Sequence, residues 1–218
     1  MIFDILTIFP QAIKSYFDYG ILKRAIDENK IKVNFYDLRE WSLDKHKNVD
    51  DKPYGGGAGM VMMIEPIYRA LASIKRGKEN ERIKTVLLAA KGDLFSQKKA
   101  ESFLKYDRII FICGRYEGVD ERVRKYLCDE EISIGNYVLS GGELPAAVIV
   151  DVVSRQLPGI LGNRDSLIDE SFSFEIIQEY PQYTRPEKFL NWSVPKVLTS
   201  GDHAKIDRWR RIKSKRRK

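Results

Sequence analysis

Five glycines lie between Gly114 and Gly142, in two loops that each follow a short apolar segment. Arg115, Tyr116 and Glu117 follow the first glycine, so a cationic, a phenolic and an acidic side chain come directly after a residue without a side chain. Backbone can approach a bound molecule closely where no side chain intervenes. Tight turns of an ordinary α/β protein are the simpler interpretation, but the clustering favours a ligand-binding site.

The same glycines do not predict a phosphate cradle. The chain contains no G-x-x-x-x-G-K-[ST] segment, and no G-x-G-x-x-G opens a helix after a strand. We therefore expect a ligand that is held by backbone groups and apolar contacts. His46, His203, Cys113 and Cys128 show no metal-ligand spacing, so we expect no metal site and two free thiols.

Strand and helix patterns alternate along the chain and place these loops at one edge of a sheet. Such alternation predicts an α/β fold with a mostly parallel sheet and helices on both faces. Three strands are predicted to end at Ala90, Cys113 and Ile134, in front of loops that contain Gly92, Gly114 and Gly135. The strand patterns cover residues 2–8, 33–35, 85–90, 109–113 and 131–134. The helical patterns cover residues 13–28, 66–74, 96–104 and 202–215, and an apolar helix that follows the loop of residues 135–145 and ends at Leu157. Ser96 and Asp202 are the expected N-caps of two of these helices.

A long polar loop, residues 38–63, carries four glycines between Gly55 and Gly59 and ends in an apolar run. Such loops in compact domains are usually functional or disordered, and the apolar ending favours a packed, functional loop. Residues 163–173 are polar and acidic, which indicates a linker. We predict a domain at residues 1–160, a linker at 161–174, and a small, helical, basic domain at 175–218.

Charge is concentrated at the end of the chain. The 218 residues have a net charge of +7, yet residues 205–218 alone carry nine Lys/Arg and one acid, so the rest is nearly neutral. A solvated tail is one interpretation, and a nucleic-acid contact is the one that we favour, because clustered cations bind phosphates. The expected contacts are Arg208, Arg210, Arg211 and Lys213.

The chain contains no apolar run of the ~20 residues that a membrane helix needs. Its first residues, MIFDILTIFP, lack a basic leader and contain an acid, so they read as a strand and not as a signal peptide. We expect a cytoplasmic protein.

Several long segments resemble the bacterial tRNA (guanine-N1)-methyltransferase family, of the SPOUT class. They are TIFP, VDDKPYGGGAGMVM, ICGRYEGVDERV, SIGNYVLSGGELPA, VSRQLPGILGN, YPQYTRP and SGDHAKIDRWR. The resemblance implies a homodimer whose α/β domain contains a deep trefoil knot. It also implies methyl transfer from S-adenosylmethionine to N1 of guanosine 37 in tRNA, beside the anticodon, and a Mg²⁺ requirement would fit the family.

The resemblance further implies site residues. Arg155 matches the family's arginine, which stabilises negative charge on the guanine O6. Glu170 aligns with the general base, an aspartate in the family, and Asp169 is its neighbour and the alternative base. The residues implied for S-adenosylmethionine are Leu88, Ala90, Gly92, Gly114, Glu117, Ile134, Gly135, Asn136, Tyr137, Val138, Leu139, Gly141, Gly142 and Pro145.

The sequence departs from the family pattern at three places. Glu170 replaces the aspartate, Asn136 replaces a carboxylate, and the family continues through further helix beyond the position of Lys218. Either the polybasic end takes the place of that helix, or the sequence is a shortened one. The alternatives to the tRNA enzyme are an RNA-binding SPOUT protein with impaired catalysis and a SPOUT methyltransferase that acts on ribosomal RNA.

Overall fold

The computed structural model describes residues 1–161, 171–172 and 176–216. The chain divides into two compact units, Met1–Ile160 and Leu161–Lys218. In the part of the chain that the structure describes, no helix is both long and apolar enough to cross a membrane.

The first unit is built on a parallel sheet of five strands. The strands are β1 (Ile2–Thr7), β2 (Lys32–Asp37), β5 (Ile83–Leu94), β6 (Arg108–Cys113) and β7 (Glu130–Ser133), in the order β2-β1-β6-β5-β7. Every neighbouring pair runs parallel. The predicted α/β class with a mostly parallel sheet is therefore confirmed.

Helices cover both faces of this sheet. Along β6, Ile109, Phe111 and Cys113 point into one apolar core, and Ile110 and Ile112 point into the other, because successive side chains of a strand alternate. The first core receives α1 (Gln11–Lys14), α2 (Gly20–Asp27), α4 (Gln97–Phe103) and α6 (Glu143–Gln156), and the second receives α3 (Ile64–Lys75) and α5 (Glu121–Tyr126).

Two predicted elements were wrong in their bounds. The helical pattern of residues 13–28 is interrupted by a 3-10 turn, Ser15–Asp18, and by Gly20, whose φ of +64° falls in the left-handed region. The strand predicted to end at Ala90 continues to Leu94 through an irregularity in its pairing with β7. Gly92 therefore lies inside β5 and not in a loop after it.

Short elements complete the first unit. β3 (Asp50–Asp51) and β4 (Val61–Met62) pair within the predicted packed loop, and a 3-10 helix, Leu38–Trp41, precedes them. Met62 also forms a bridge to Val119, so this loop is tied to the segment after β6.

The second unit contains one long helix among its described residues, α7 (His203–Lys213). As predicted, Asp202 caps it, and its carboxylate accepts a hydrogen bond of 3.1 Å from the Lys205 N–H. The sequence patterns missed the short strands of this unit and its 3-10 helix. These are β8 (Ile176–Gln178) with β11 (Lys215–Arg216), β9 (Lys188–Phe189) with β10 (Trp192–Ser193), and the 3-10 helix Lys196–Thr199.

Candidate active site

A cavity of about 340 Å³ opens at the carboxyl edge of the sheet, between residues 87–91 of β5 and the loops that follow β6 and β7. Parallel strands place these loops side by side, and this edge is the usual ligand position in an α/β sheet. The volume lies within the range of small-molecule sites. Of the residues predicted to hold S-adenosylmethionine, all but Gly92 and Asn136 line it.

Gly92 and Asn136 lie elsewhere. A Cβ atom at Gly92 would come within 2.5 Å of the Ile132 backbone nitrogen, so this glycine lets β5 pack against β7. Gly92 lines a different, polar cavity. Asn136 is exposed in the loop after β7.

The glycines of the two pocket loops serve packing between segments. The Gly142 N–H donates to the Gly114 carbonyl at 3.0 Å, and a Cβ atom at Gly142 would lie 2.7 Å from the Cα atom of Cys113. A Cβ atom at Gly141 would overlap the side chains of Arg115 and Glu143. The first interpretation, that the glycines make room for a ligand, misses this contact between the loops.

Arg115 joins the two pocket loops. Its Nε donates to Glu143 Oε1 at 3.1 Å, and its Nη1 donates to the Ser140 carbonyl at 3.0 Å. The guanidinium also lies over the ring of Phe9, 4.9 Å from the centroid, which adds a cation–π contact.

Glu143 is the buried partner of this arginine. Only 3% of its side chain is exposed, and its Oε2 lies 3.0 Å from the Arg115 Nη2. Thr7, at the end of β1, donates a hydrogen bond of 2.6 Å to Oε1 and accepts one of 2.9 Å from the Phe9 N–H. The end of β1, the loop after β6 and the start of α6 thus meet at one carboxylate.

The polar loop before α3 closes another side of this region. The Glu117 N–H donates to the Met60 carbonyl at 3.0 Å, and the Met62 N–H donates to the Gly118 carbonyl at 2.9 Å. Burial raises the pKa of Tyr116, and the charge of Asp50 and a hydrogen bond to it raise it further. The phenol is therefore neutral at physiological pH.

The cysteine at this edge is not a nucleophile. Cys113 is fully buried, and burial raises the pKa of its thiol well above the usual value, with the charge of Glu143 acting in the same direction. A thiolate is the reactive form, so this group is inert. Across the described ranges, no group of three or more His, Cys, Asp or Glu residues is arranged to hold a metal ion.

The residues predicted for catalysis are only partly described. Arg155 lies in the last turn of α6 and is partly exposed. It is not among the residues that line the cavity, since twelve residues of helix place it roughly 18 Å along the axis from Glu143. Asp169 and Glu170 lie outside the described residues.

The predicted RNA contacts share one helix. Arg208, Arg210, Arg211 and Lys213 are all exposed on α7. Arg210 lies over the ring of Tyr180, 5.1 Å from its centroid, and Trp209 contacts Tyr183 at 6.3 Å between ring centroids. The basic segment up to Lys213 is therefore a capped helix with aromatic neighbours.

A family model described as tRNA (Guanine-1)-methyltransferase TrmD matches residues 1–218. The chain belongs to the TrmD family. The tRNA (guanine-N(1)-)-methyltransferase of Dictyoglomus turgidum is 55% identical over 95% of this chain and 82% of its own length. The enzyme of the same name from Caldanaerobacter subterraneus is 50% identical over 98% of this chain and 87% of its own length.

A solved structure agrees with this membership. The crystal structure of tRNA (m1G37) methyltransferase from Aquifex aeolicus superimposes with a TM-score of 0.80 at 42% identity, over 96% of this chain and 87% of the other. The resemblance to the TrmD family that the motifs indicated is confirmed.

Sequence reasoning missed three residues that contact Arg115 or its carboxylate partner beside the cavity. Thr7, Phe9 and Glu143 were not proposed as site residues, and they are not among the residues that line the cavity. Thr7 and Glu143 are 136 residues apart in sequence. The available signal was an acid at the start of an otherwise apolar helix, because a buried acid requires a partner.

Proposed function

We propose that this protein transfers a methyl group from S-adenosylmethionine to N1 of guanosine 37 in tRNA. The observation that carries the proposal is the cavity at the carboxyl edge, lined by β5 and by the loops after β6 and β7 in a chain of the TrmD family. When bound, S-adenosylmethionine supplies an electrophilic methyl group on a sulfonium.

The residues of the cavity fit such a donor. Leu88, Ile132, Val138, Leu139 and Pro145 offer apolar surface to an adenine and a thioether. The backbone of the loop after β7 offers hydrogen-bonding groups. The sequence contains no G-x-x-x-x-G-K-[ST] phosphate-binding segment, and S-adenosylmethionine has no phosphate group.

The proposed chemistry is deprotonation followed by attack. Guanine N1 carries a proton and is a weak nucleophile until a base removes it, and Glu170 is the proposed base, with Asp169 as the alternative. Negative charge then develops on O6, where the guanidinium of Arg155 would stabilise it.

The direct test is methyl transfer from labelled S-adenosylmethionine to two tRNA transcripts. One carries guanosine at positions 36 and 37, and the other carries adenosine at position 37. We expect label at N1 of guanosine in the first transcript alone. Label in neither, with the donor still bound in calorimetry, would favour an RNA-binding protein with impaired catalysis.

The base assignment has a test of its own. Glu170→Gln should abolish methylation and leave donor binding intact, whereas Asp169→Asn should retain activity. The opposite result would assign the base to Asp169.

The proposal includes a homodimer with a trefoil knot. Leu144, Val148, Asp151 and Arg155 follow one stripe of α6, and Leu144 and Val148 are exposed there, which supports a helix face covered by a second copy. Pairing of two such helices in opposite directions would bring Arg155 of one copy towards the pocket end of the other.

Sedimentation tests the dimer. Val148→Lys should yield monomers with an intact fold, because it places a charge in the covered stripe. Tyr68→Lys, at an exposed position of α3, is the control and should stay dimeric. A dimer that survives Val148→Lys would exclude this face of α6.

We assign tRNA contact to the exposed cations of α7. Arg211→Ala should weaken tRNA binding and reduce the slope of affinity against salt by about 1, as expected for one lost phosphate contact. Lys23→Ala, at an exposed residue of α2 paired with Asp27, is the matched control. An unchanged slope for Arg211→Ala would show that this side chain contacts no phosphate.

The proposal also includes a cytoplasmic location, where tRNA substrates occur, and a Mg²⁺ requirement. The described residues offer no fitting metal site, so no step is assigned to the ion. Activity in the presence of a chelator tests the requirement.

A further inference from the structure

The charges around the cavity include an exposed ion pair at the rim, the buried pair of Arg115 and Glu143, and Glu131, whose side chain is 13% exposed and whose Oε1 lies 3.9 Å from the Lys91 Nζ. Lys91 and Glu121 at the rim are joined at 3.1 Å, with 64% and 57% of their side chains exposed. Water and salt screen such a pair strongly. Arg115 and Glu143 are 21% and 3% exposed, so their charges act on the cavity with much less screening.

The buried pair lies directly against the pocket loops. Arg115 itself lines the cavity, and a Cβ atom at Gly141, another lining residue, would overlap both side chains of the pair. Glu143 Oε2 accepts no hydrogen bond from the described residues, and its contact with the Arg115 Nη2 at 3.0 Å is that of an ion pair. What Glu143 contributes at this point is therefore chiefly negative charge.

We infer that Glu143 is a specificity-determining positioning residue: its charge cancels that of Arg115 and so lets the pocket accept a cationic methyl donor. The inference rests on the proposed function. S-adenosylmethionine carries a positive sulfonium, whereas the product S-adenosylhomocysteine is a neutral thioether. An uncancelled guanidinium beside the pocket would repel the donor and leave the product nearly unaffected.

The geometry separates this charge role from a purely mechanical one. Glutamine at position 143 retains an oxygen that can accept the hydrogen bonds from Thr7 and Arg115, so the shape of the loops is kept. The amide nitrogen takes the place of Oε2, so the negative charge and its ion pair with the Arg115 Nη2 at 3.0 Å are lost. A mechanical role predicts equal changes for donor and product, and a charge role predicts a change in their ratio.

The experiment is calorimetric titration of the full chain with S-adenosylmethionine and, separately, with S-adenosylhomocysteine. Glu143→Gln should weaken donor binding roughly tenfold and product binding less than about threefold, as for a like charge in a partly desolvated site. Arg115→Met removes the cation, so it should shift the ratio of the two affinities the other way, towards the donor. This second variant carries the test if Glu143→Gln does not fold.

Glu81→Gln is the matched control. Glu81 also pairs with an arginine, Arg108, at 2.7 Å, but at the amino end of the sheet. Its loss should leave both affinities unchanged.

Three other results of these titrations would contradict the inference. If Glu143→Gln weakens the binding of donor and product equally, the ion pair serves only to shape the loops. Unchanged binding of both would remove Glu143 from the site. If the unsubstituted protein binds neither molecule, the proposed function fails together with the inference.

Discussion

Arg108 and Arg115 lie at the two ends of β6, and both pair with buried carboxylates. At the amino end, Arg108 contacts Asp4 at 2.5 Å and Glu81 at 2.7 Å, and only 6% of its side chain is exposed. At the carboxyl end, Arg115 pairs with Glu143 and is more exposed. An arginine–carboxylate pair thus occurs at each end of this strand, within β6 at the amino end and in the loop after it at the carboxyl end.

The partners explain why the two ends differ. Asp4 accepts hydrogen bonds from Arg108 and from Asn34, at 2.7 Å, and all of these residues lie in or beside strands. Burial by itself would lower the pKa of Arg108, but hydrogen bonds to Glu81 and Asp4 raise it. This cluster is satisfied within regular structure, so it stabilises the fold.

The carboxyl-end pair joins irregular segments. Arg115 and the Ser140 carbonyl belong to loops, and Glu143 is the first residue of α6. The interaction between Arg115 and Glu143 therefore holds these loops in one arrangement. We therefore expect loss of the amino-end pair to change the stability of the fold, and loss of the carboxyl-end pair to change the binding site.

Asp4→Ala should give the largest effect. Loss of one partner leaves a buried charge poorly compensated, which costs roughly 3–5 kcal/mol in the free energy of unfolding. Urea unfolding measures it, and Asp4→Asn, which keeps a hydrogen-bond acceptor, should cost less. Donor affinity under folding conditions should not change, and a loss comparable to that of Glu143→Gln would erase the distinction between the two ends.

Gly141→Ala should affect the carboxyl end alone. The added methyl group would overlap Arg115 and Glu143, and overpacking costs about 1–3 kcal/mol. We expect donor affinity in calorimetry to fall by about tenfold. The same substitution in an Arg115→Ala background should cost less, because the overlapping side chain is gone. Equal costs in both backgrounds would contradict the steric account.

Thr7→Val should have a smaller effect. It removes the hydrogen bond to Glu143 and the acceptor of the Phe9 N–H, at about 1–2 kcal/mol of stability. Thr7→Ser keeps the hydroxyl and should resemble the unsubstituted protein. A Val variant as stable as the unsubstituted protein would show that the Thr7 hydroxyl does not contribute to stability.

A decrease in pH should have the smallest effect on stability, through Asp107, which lies just before the amino end of β6. The hydrogen bond from the Arg82 side chain, and then one from its backbone, lower the pKa of Asp107 from 3.8 to about 2. Because the folded-state pKa is lowered, its stabilisation is complete above 3.8 and is lost as the pH falls towards about 2. Thermal unfolding of Asp107→Asn should differ from that of the unsubstituted protein above this window and converge below it. Parallel curves would show that Asp107 contributes nothing.

The sequence by itself determined the parts that depend on local order. A continuous apolar run predicted β6, and Ser96 and Asp202 predicted two helix starts, because a cap needs only the few residues that follow it. The glycine loops beside Gly114 and Gly142 were placed at one edge, since parallel strands end together.

Only the tertiary structure decided how distant segments meet. The strand order β2-β1-β6-β5-β7 places β1 beside β6, and this brings Thr7 to Glu143 and Arg115. The continuation of β5 past Gly92 likewise depends on its pairing with β7. Periodicity records which face of an element is apolar, but not which element will cover it. The contacts that shape this pocket join elements that are distant in sequence. The sequence showed which residue types could form such contacts, but only the tertiary structure showed which residues contact each other.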